Sequence, residues 1–244
     1  MPEKPSKIFI LEAGEPVASV RARRGAFPDL IRDAIGDVWR GDYAVVEVRA
    51  DDVKLPSPSE AAAFVITGSA ASVPDREPWM RRTEAWLREL CASGTPTFGI
   101  CFGHQMLAQA LGGEVQRNPR GREMGTVAIE RIADDPIFAG VPARFHANVT
   151  HVDTVARLPE GATALSRSAL ESHHVIRFNE TSYGVQFHPE FDGEVMRAYV
   201  EARREILEGE GFSAEVMLAE VGEGEMGRAT LRNFVRRFVA TRAR

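Results

Sequence analysis

The chain has only two cysteines, Cys91 and Cys101, in 244 residues. That excludes a disulfide framework and fits a reducing compartment, so the expected location is the cytoplasm. It also lacks an excess of basic residues: 30 Lys and Arg stand against 35 Asp and Glu, a formal net charge of −5. A nucleic-acid partner needs surplus cations to displace counterions, and that class is set aside. Arginines do gather near residues 21–24 and 232–244, where they read as solvated helix faces and a tail. No apolar run approaches the length of a membrane span, and the opening MPEKPSK has no signal-peptide core. A phosphate-binding G-x-x-x-x-G-K-[ST] loop is missing, as are internal repeats and long linkers.

What is present is ordinary for a globular protein, 44% hydrophobic and 27% charged residues, enough for one α/β domain with a sizeable core. Apolar runs at 7–13, 43–48 and 63–68 alternate with helical patterns. One of these carries Leu30, Ile31, Ala34 and Ile35; another runs from Trp79 to Cys91 behind Pro78. Such alternation predicts a parallel sheet with its functional rim at the carboxyl ends of the strands. Cys91 falls at the end of a helix and reads as a small core hydrophobe.

From about Glu114 the rhythm changes to short β-like runs between turn residues, which predicts an antiparallel or mixed extension of the sheet. A helix is expected from Gly193 to about Glu208, a loop over EGEGFSAE, and a last helix from Thr230 to Val239. The expected organisation is a single domain over 1–244, with its core at about 7–208. The C-terminal extension, about 209–244, would cover the sheet or form a homodimer contact.

The stretch TPTFGICFGHQ, residues 95–105, carries the most chemistry. A short strand runs into Gly-Ile-Cys-Phe-Gly and then into a helix-compatible run, which puts Cys101 at the apex of a strand–turn–helix elbow. Glycines two before and two after the apex let strand and helix approach without Cβ clashes. A cysteine held there meets the first N–H groups of the helix, whose partial positive charge favours the thiolate. Taken alone, a glycine-flanked cysteine can also be a buried inert thiol.

SYGVQFHPE, residues 182–190, tells against the inert reading. Tyr183 to Phe187 has a strand pattern, and residues two apart in an extended segment project to one face. Glu190 can then accept from one ring nitrogen of His188 while the other faces outward. That arrangement suits a nucleophile–base–acid triad, with Cys101 as nucleophile, His188 as general base then acid, and Glu190 as orienter.

GICFGHQ followed downstream by QFHPE resembles the class I (triad-type) glutamine amidotransferase family. The likeness is to its stand-alone group, similar to the amidotransferase half of GMP synthetase and to the plant γ-glutamyl peptidases. It runs from the first strand to His188–Glu190. It implies a three-layer, flavodoxin-like α/β fold: a mostly parallel central sheet flanked by helices, with a small antiparallel extension. VITGS (65–69) is similar to that family's oxyanion strand, which implies an oxyanion hole from the Gly68 and Phe102 N–H groups, with Ser69 and Gln105 beside the substrate. THVDTVARLPEGA (150–162) resembles the family's His-Gly-Asp loop, assigning Thr150, His151, Val152 and Asp153 to the substrate. Val152 stands where that family has glycine.

The function this implies is hydrolysis of the glutamine side-chain amide through a γ-glutamyl thioester, without cofactor or metal. Glutamate is released, and a separate synthase subunit receives the ammonia. The alternative is a free-standing γ-glutamyl peptidase. A non-catalytic metabolite-binding protein is the third reading, and it has no use for an activated thiol. Other polar residues carry less. His173 and His174, adjacent on an expected strand, would point apart and could not share a metal. His146 and His151 read as polar loop residues, although the resemblance would put His151 at the pocket. Glu123, in the turn GREMG, would either meet a substrate ammonium or lie in solvent.

Overall fold

A computed structural model describes residues 7–240 of the protein. The opening heptapeptide (but for Lys7) and residues 241–244 of the arginine-containing tail lie outside the described residues. The chain runs through β1 (Lys7–Glu12), α1 (Ala18–Arg24), α2 (Phe27–Ile35), β2 (Asp42–Glu47), β3 (Ala63–Ile66), α3 (Pro78–Ala92), β4 (Thr97–Ile100) and α4 (Phe102–Ala110). Then come β5 (Glu114–Arg117), β6 (Glu123–Arg131), β7 (Arg144–His151), β8 (Asp153–Arg157), β9 (Thr163–Arg167), β10 (Val175–Arg177) and β11 (Ser182–Val185). Four helices follow: α5 (Gly193–Ala202), α6 (Arg204–Gly209), α7 (Ala214–Glu220) and α8 (Glu225–Val235).

One sheet has the order β2-β1-β3-β4-β11-β10-β9-β6-β7, and β5 pairs with β8 in a separate ribbon. From β2 to β11 the neighbours are parallel; from β11 to β7 they are antiparallel. The chain is thus an α/β protein with its central sheet covered on both faces, and the antiparallel part is four strands wide. β3 and β4 are buried at every position, as strands covered on both faces must be. On one face α2 and α8 bring Ile31, Ile35, Leu231 and Phe234 against Ile8, Ile10 and Phe98. On the other, α3 and α4 bring Leu87, Leu90, Met106 and Leu107 against Leu11 and Phe64. Cys91 lies in that second core, where burial pushes its thiol pKa up.

Several expectations shift. α1 was not anticipated; its last turn carries Arg21, Arg23 and Arg24, and Arg24 pairs with Asp192 and Glu194 rather than standing free in solvent. The helix expected to run unbroken to Glu208 stops at Ala202 and resumes at Arg204. The expected EGEGFSAE loop ends early, because Ser213 caps α7 by accepting from the Val216 N–H. α8 starts at Glu225, five residues before Thr230, because Gly227 packs closely against Ala147 and Phe187 instead of breaking the helix.

Candidate active site

Cys101 stands between β4 and α4 with φ 49° and ψ −99°, a positive φ that costs an L residue about 1–3 kcal/mol. Close packing enforces it. A Cβ on Gly99 would fall 2.6 Å from the Gly103 carbonyl, and one on Gly103 would fall 2.5 Å from Ile66 O. No side chain fits at either place, so the helix meets the strands backbone to backbone. The Cys101 N–H donates to Val185 O at 2.8 Å, and Cys101 O accepts from the Gln105 N–H at 3.1 Å. The side chain is 6% exposed, at the floor of a cleft.

β11 lies parallel beside β4 with Val185 level with Ile100, so the residues that follow it arrive beside Cys101. The strand ends at Val185, not at Phe187 as the pattern predicted. His188 and Glu190 therefore meet across a turn, closed by the Phe191 N–H donating to His188 O at 3.2 Å, rather than by strand alternation. His188 Nδ1 and Glu190 Oε1 are 2.8 Å apart. His188 Nε2 is buried without a hydrogen-bond partner, and the Cys101 sulfur is near enough to act on the ring electrostatically. Burial disfavours the imidazolium, but the charges of Glu190 and Cys101 outweigh it and lift the His188 pKa to about 10. The ring stacks on Phe191 at 4.1 Å. His104 is only three residues from Cys101, but burial and then the charges of His173 and His174 push it down to about 3. It is neutral.

The Phe102 N–H opens α4, and Gly68 follows β3 beside the His188 ring, where an added Cβ would lie 2.9 Å from Cε1. Neither N–H donates to another group among the described residues. Ser69, Gln105, Val152 and Asp153 border a cleft of about 270 Å³ that reaches Cys101. The Asp153 carboxylate accepts from Ser72 Oγ at 2.6 Å. Thr150 borders the same cleft and accepts from Arg203.

His151 lines the same cleft but is not a loop residue: it ends β7, with its side chain turned into the protein. Its Nδ1 faces Asp153 O at 2.9 Å and its Nε2 faces Glu123 Oε2 at 3.0 Å. Both partners can only accept, so both ring nitrogens carry protons and the ring is an imidazolium. Glu123 is not in solvent, and it lines neither the Cys101 cleft nor the one on the His188 side. It opens β6, is buried, and also accepts from His174 Nε2 at 2.8 Å. Although it is buried, bonds from the two histidines hold its carboxyl below the usual range. Among the described residues these three are the metal-ligating types that come together, within 4.8 Å of one another. Two N–H donors converging on one carboxylate oxygen satisfy the group without an ion. His173 and His174 precede β10 rather than lying on a strand, and they turn to different partners, His173 Nδ1 meeting Val155 O at 2.7 Å and His174 Nε2 meeting Glu123. His146 also lies on β7 rather than in a loop, with its side chain outward.

Two further residues at the site were not anticipated. Gln186, fully buried, donates from Nε2 to Cys101 Sγ at 3.4 Å. Its place just past β11 and level with the elbow is a tertiary fact, invisible to local pattern. Arg203 occupies the break between α5 and α6, with its guanidinium 5.2 Å from the Tyr199 ring centroid. Burial pushes its pKa down, and its hydrogen bond goes to Thr150 Oγ1, not to a carboxylate. It borders both the Cys101 cleft and a second one of about 260 Å³ on the His188 side.

Residues 40–204 match the glutamine amidotransferase class-I family. The chain belongs to that family. It is 37% identical over 191 residues to the glutamine-hydrolysing GMP synthase of Thermomicrobium roseum, covering 78% of this chain and 33% of that protein. It is 36% identical over 124 residues to a separately named subunit of the glutamine-hydrolysing GMP synthase of Archaeoglobus fulgidus, covering 48% and 66%. The chain thus spans about a third of the length of the first of these and two thirds of the second. Its fold is shared with a glutamine amidotransferase crystal structure from Thermotoga maritima at a TM-score of 0.75, with 24% identity over 97% of this chain and 99% of the other. No helix among the described residues is long and apolar enough to cross a membrane.

Proposed function

We propose that the protein hydrolyses the side-chain amide of glutamine and hands ammonia to a separate acceptor enzyme. Cys101 is the nucleophile in this reading. Its thiolate attacks the amide carbon, and the oxyanion lies between the Gly68 and Phe102 N–H groups, which have no competing acceptor. Each such donor is worth about 10²–10³ in rate. The carbon–nitrogen bond breaks as the His188 imidazolium gives its proton to the leaving ammonia. Water then attacks the γ-glutamyl thioester, His188 takes its proton, and glutamate leaves as the sulfur is released. Glu190 fixes the tautomer and supports the charge on His188. The observation that carries the reading is the His188 ring, held at 2.8 Å by Glu190 with an unpartnered Nε2 beside the strained elbow. The likeness to a protein named as one subunit of a GMP synthase, rather than as the whole enzyme, supports a partner enzyme as acceptor. We place the whole chain, including the 209–244 extension, in one domain, since α8 packs against α2 and β7.

One feature favours the γ-glutamyl peptidase reading. The leaving group departs on the His188 side, where the second cleft is far roomier than ammonia requires and is bordered by Arg203. A leaving amine with its own carboxylate would find a cation there. The test is glutamate release by the purified chain from glutamine and from a γ-glutamyl dipeptide. Glutamine hydrolysis that falls at least about a thousandfold in Cys101→Ser supports the proposal; wild-type rates in that variant would overturn it. A dipeptide preferred over glutamine, with the preference erased by Arg203→Met, would select the peptidase.

A further inference from the structure

Among the polar side chains around Cys101, one touches the sulfur and has been given no part in the reaction. We propose that Gln186 is a catalytic residue that holds the Cys101 sulfur in its attacking, ionised form by donating a side-chain N–H to it. The inference rests on reading Cys101 as the nucleophile.

The direction of that hydrogen bond follows from elementary bookkeeping of donors. Amide oxygen and nitrogen look alike, so their orientation must come from the network around them. The network here starts at a backbone carbonyl, Asp153 O, which can only accept. It lies 3.0 Å from the Gln105 amide, which must therefore present its NH₂ group. The second N–H of that NH₂ points at Gln186 at 3.0 Å and needs an acceptor, so Gln186 presents Oε1 to it. The Gln186 NH₂ is then left facing Cys101 Sγ at 3.4 Å. Turning Gln186 over would set two NH₂ groups against each other inside the protein. His151 fixes the far end of the chain by donating to the same carbonyl at 2.9 Å, and Glu123 anchors His151 at 3.0 Å. Four residues thus impose one polarity on the amide that meets the sulfur.

An N–H aimed at sulfur favours the form that accepts better, and a thiolate accepts far better than a thiol. Gln186 is fully buried and uncharged, so its contribution is not screened by solvent and adds no charge of its own. His188, His151, Tyr199 and Arg203 are among the charged or titratable groups near Cys101, and Arg117, Arg122 and Asp153 line the same cleft. All of them remain when Gln186 is replaced.

The experiment uses the full chain and follows iodoacetamide alkylation of Cys101 against pH, read by peptide mass spectrometry to separate it from Cys91. Gln186→Met keeps the shape and removes the donor; Gln186→Glu sets an acceptor against the sulfur. The alkylation midpoint should rise by about one pH unit in the Met variant, a tenfold loss of the reactive form below it, and further in the Glu variant. For glutamine, kcat should fall by about the same factor with KM within about twofold. Midpoints equal to the wild type in folded variants would overturn the proposal. Should neither variant fold, the wild-type chain decides: the Gln186 side-chain amide resonance should shift with the same midpoint as the alkylation, and a flat resonance would overturn the inference. A wild-type chain that fails to hydrolyse glutamine, yet keeps this shared midpoint, would refute the proposed function and leave Gln186 on its sulfur.

Discussion

At the scale of single residues, the site is an opposition between burial and charge. His188 is 3% exposed, and an isolated imidazole so placed would be neutral. Glu190, 2.8 Å away, and the Cys101 sulfur together reverse that and keep the ring protonated across neutral pH, which on our reading readies it as the acid of the first half-reaction. The two residues are not equivalent. On the proposed mechanism, loss of His188 removes the proton carrier, whereas Glu190→Gln keeps the ring and weakens its orientation and charge. We expect His188→Ala to lower kcat on glutamine by about 10⁴ or more and Glu190→Gln by about 10²–10³. Steady-state kinetics on the two purified variants checks the order, and equal losses would argue against the division of roles. Cys101, His188 and Glu190, which the structure brings together, are legible at this scale from residue type and motif. Gln186 and Arg203 are not, because nothing in their local sequence says what lies across from them.

At the scale of elements, the elbow and the buried Glu123 cluster do different work. The elbow is local: a strand, two glycines and a helix within a dozen residues, so its periodicity and turn chemistry could be read directly. The cluster is not. Glu123 stands at the start of β6, His151 at the end of β7 and His174 just before β10, and only strand pairing brings them together. A charged residue next to glycine in GREMG reads as an exposed turn until that pairing is known. The cluster ties three segments together and holds the Asp153 carbonyl through His151. Breaking a buried pair costs about 3–5 kcal/mol, so Glu123→Gln should lower stability by about 3 kcal/mol in urea unfolding at pH 7. The sign of the pH dependence follows from the direction of the shift. A carboxyl held below its ordinary value contributes stability above about pH 4.5 and loses it as pH falls further. The gap between wild type and variant should therefore narrow below about pH 4.5. A gap that stays constant would mean that the Glu123 charge does not contribute. The helix break at Arg203 and the capped α7 also escaped the pattern, since the apolar stripe runs through the first and glycines crowd the second.

At the scale of the whole molecule, function depends on strand order. Alternating strands and helices announced a parallel sheet, and the change of rhythm after Glu114 announced an antiparallel part. Neither said that β11, the last strand among the described residues, inserts beside β4 between the two halves of the sheet. That insertion places Gln186 and His188 at the elbow across a separation of about 85 residues. α8 then closes the face formed by α2, burying Phe234 and Val235, so the C-terminal segment is part of the main core. On our reading, this long-range pairing creates a single glutamine-reactive sulfur. The decisive experiment is incubation with a diazo-ketone analogue of glutamine, followed by peptide mass spectrometry. One label per chain is expected, at Cys101, blocked by excess glutamine and absent from Cys101→Ser. Labelling at Cys91, or none at Cys101 in the folded wild-type chain, would refute that reading.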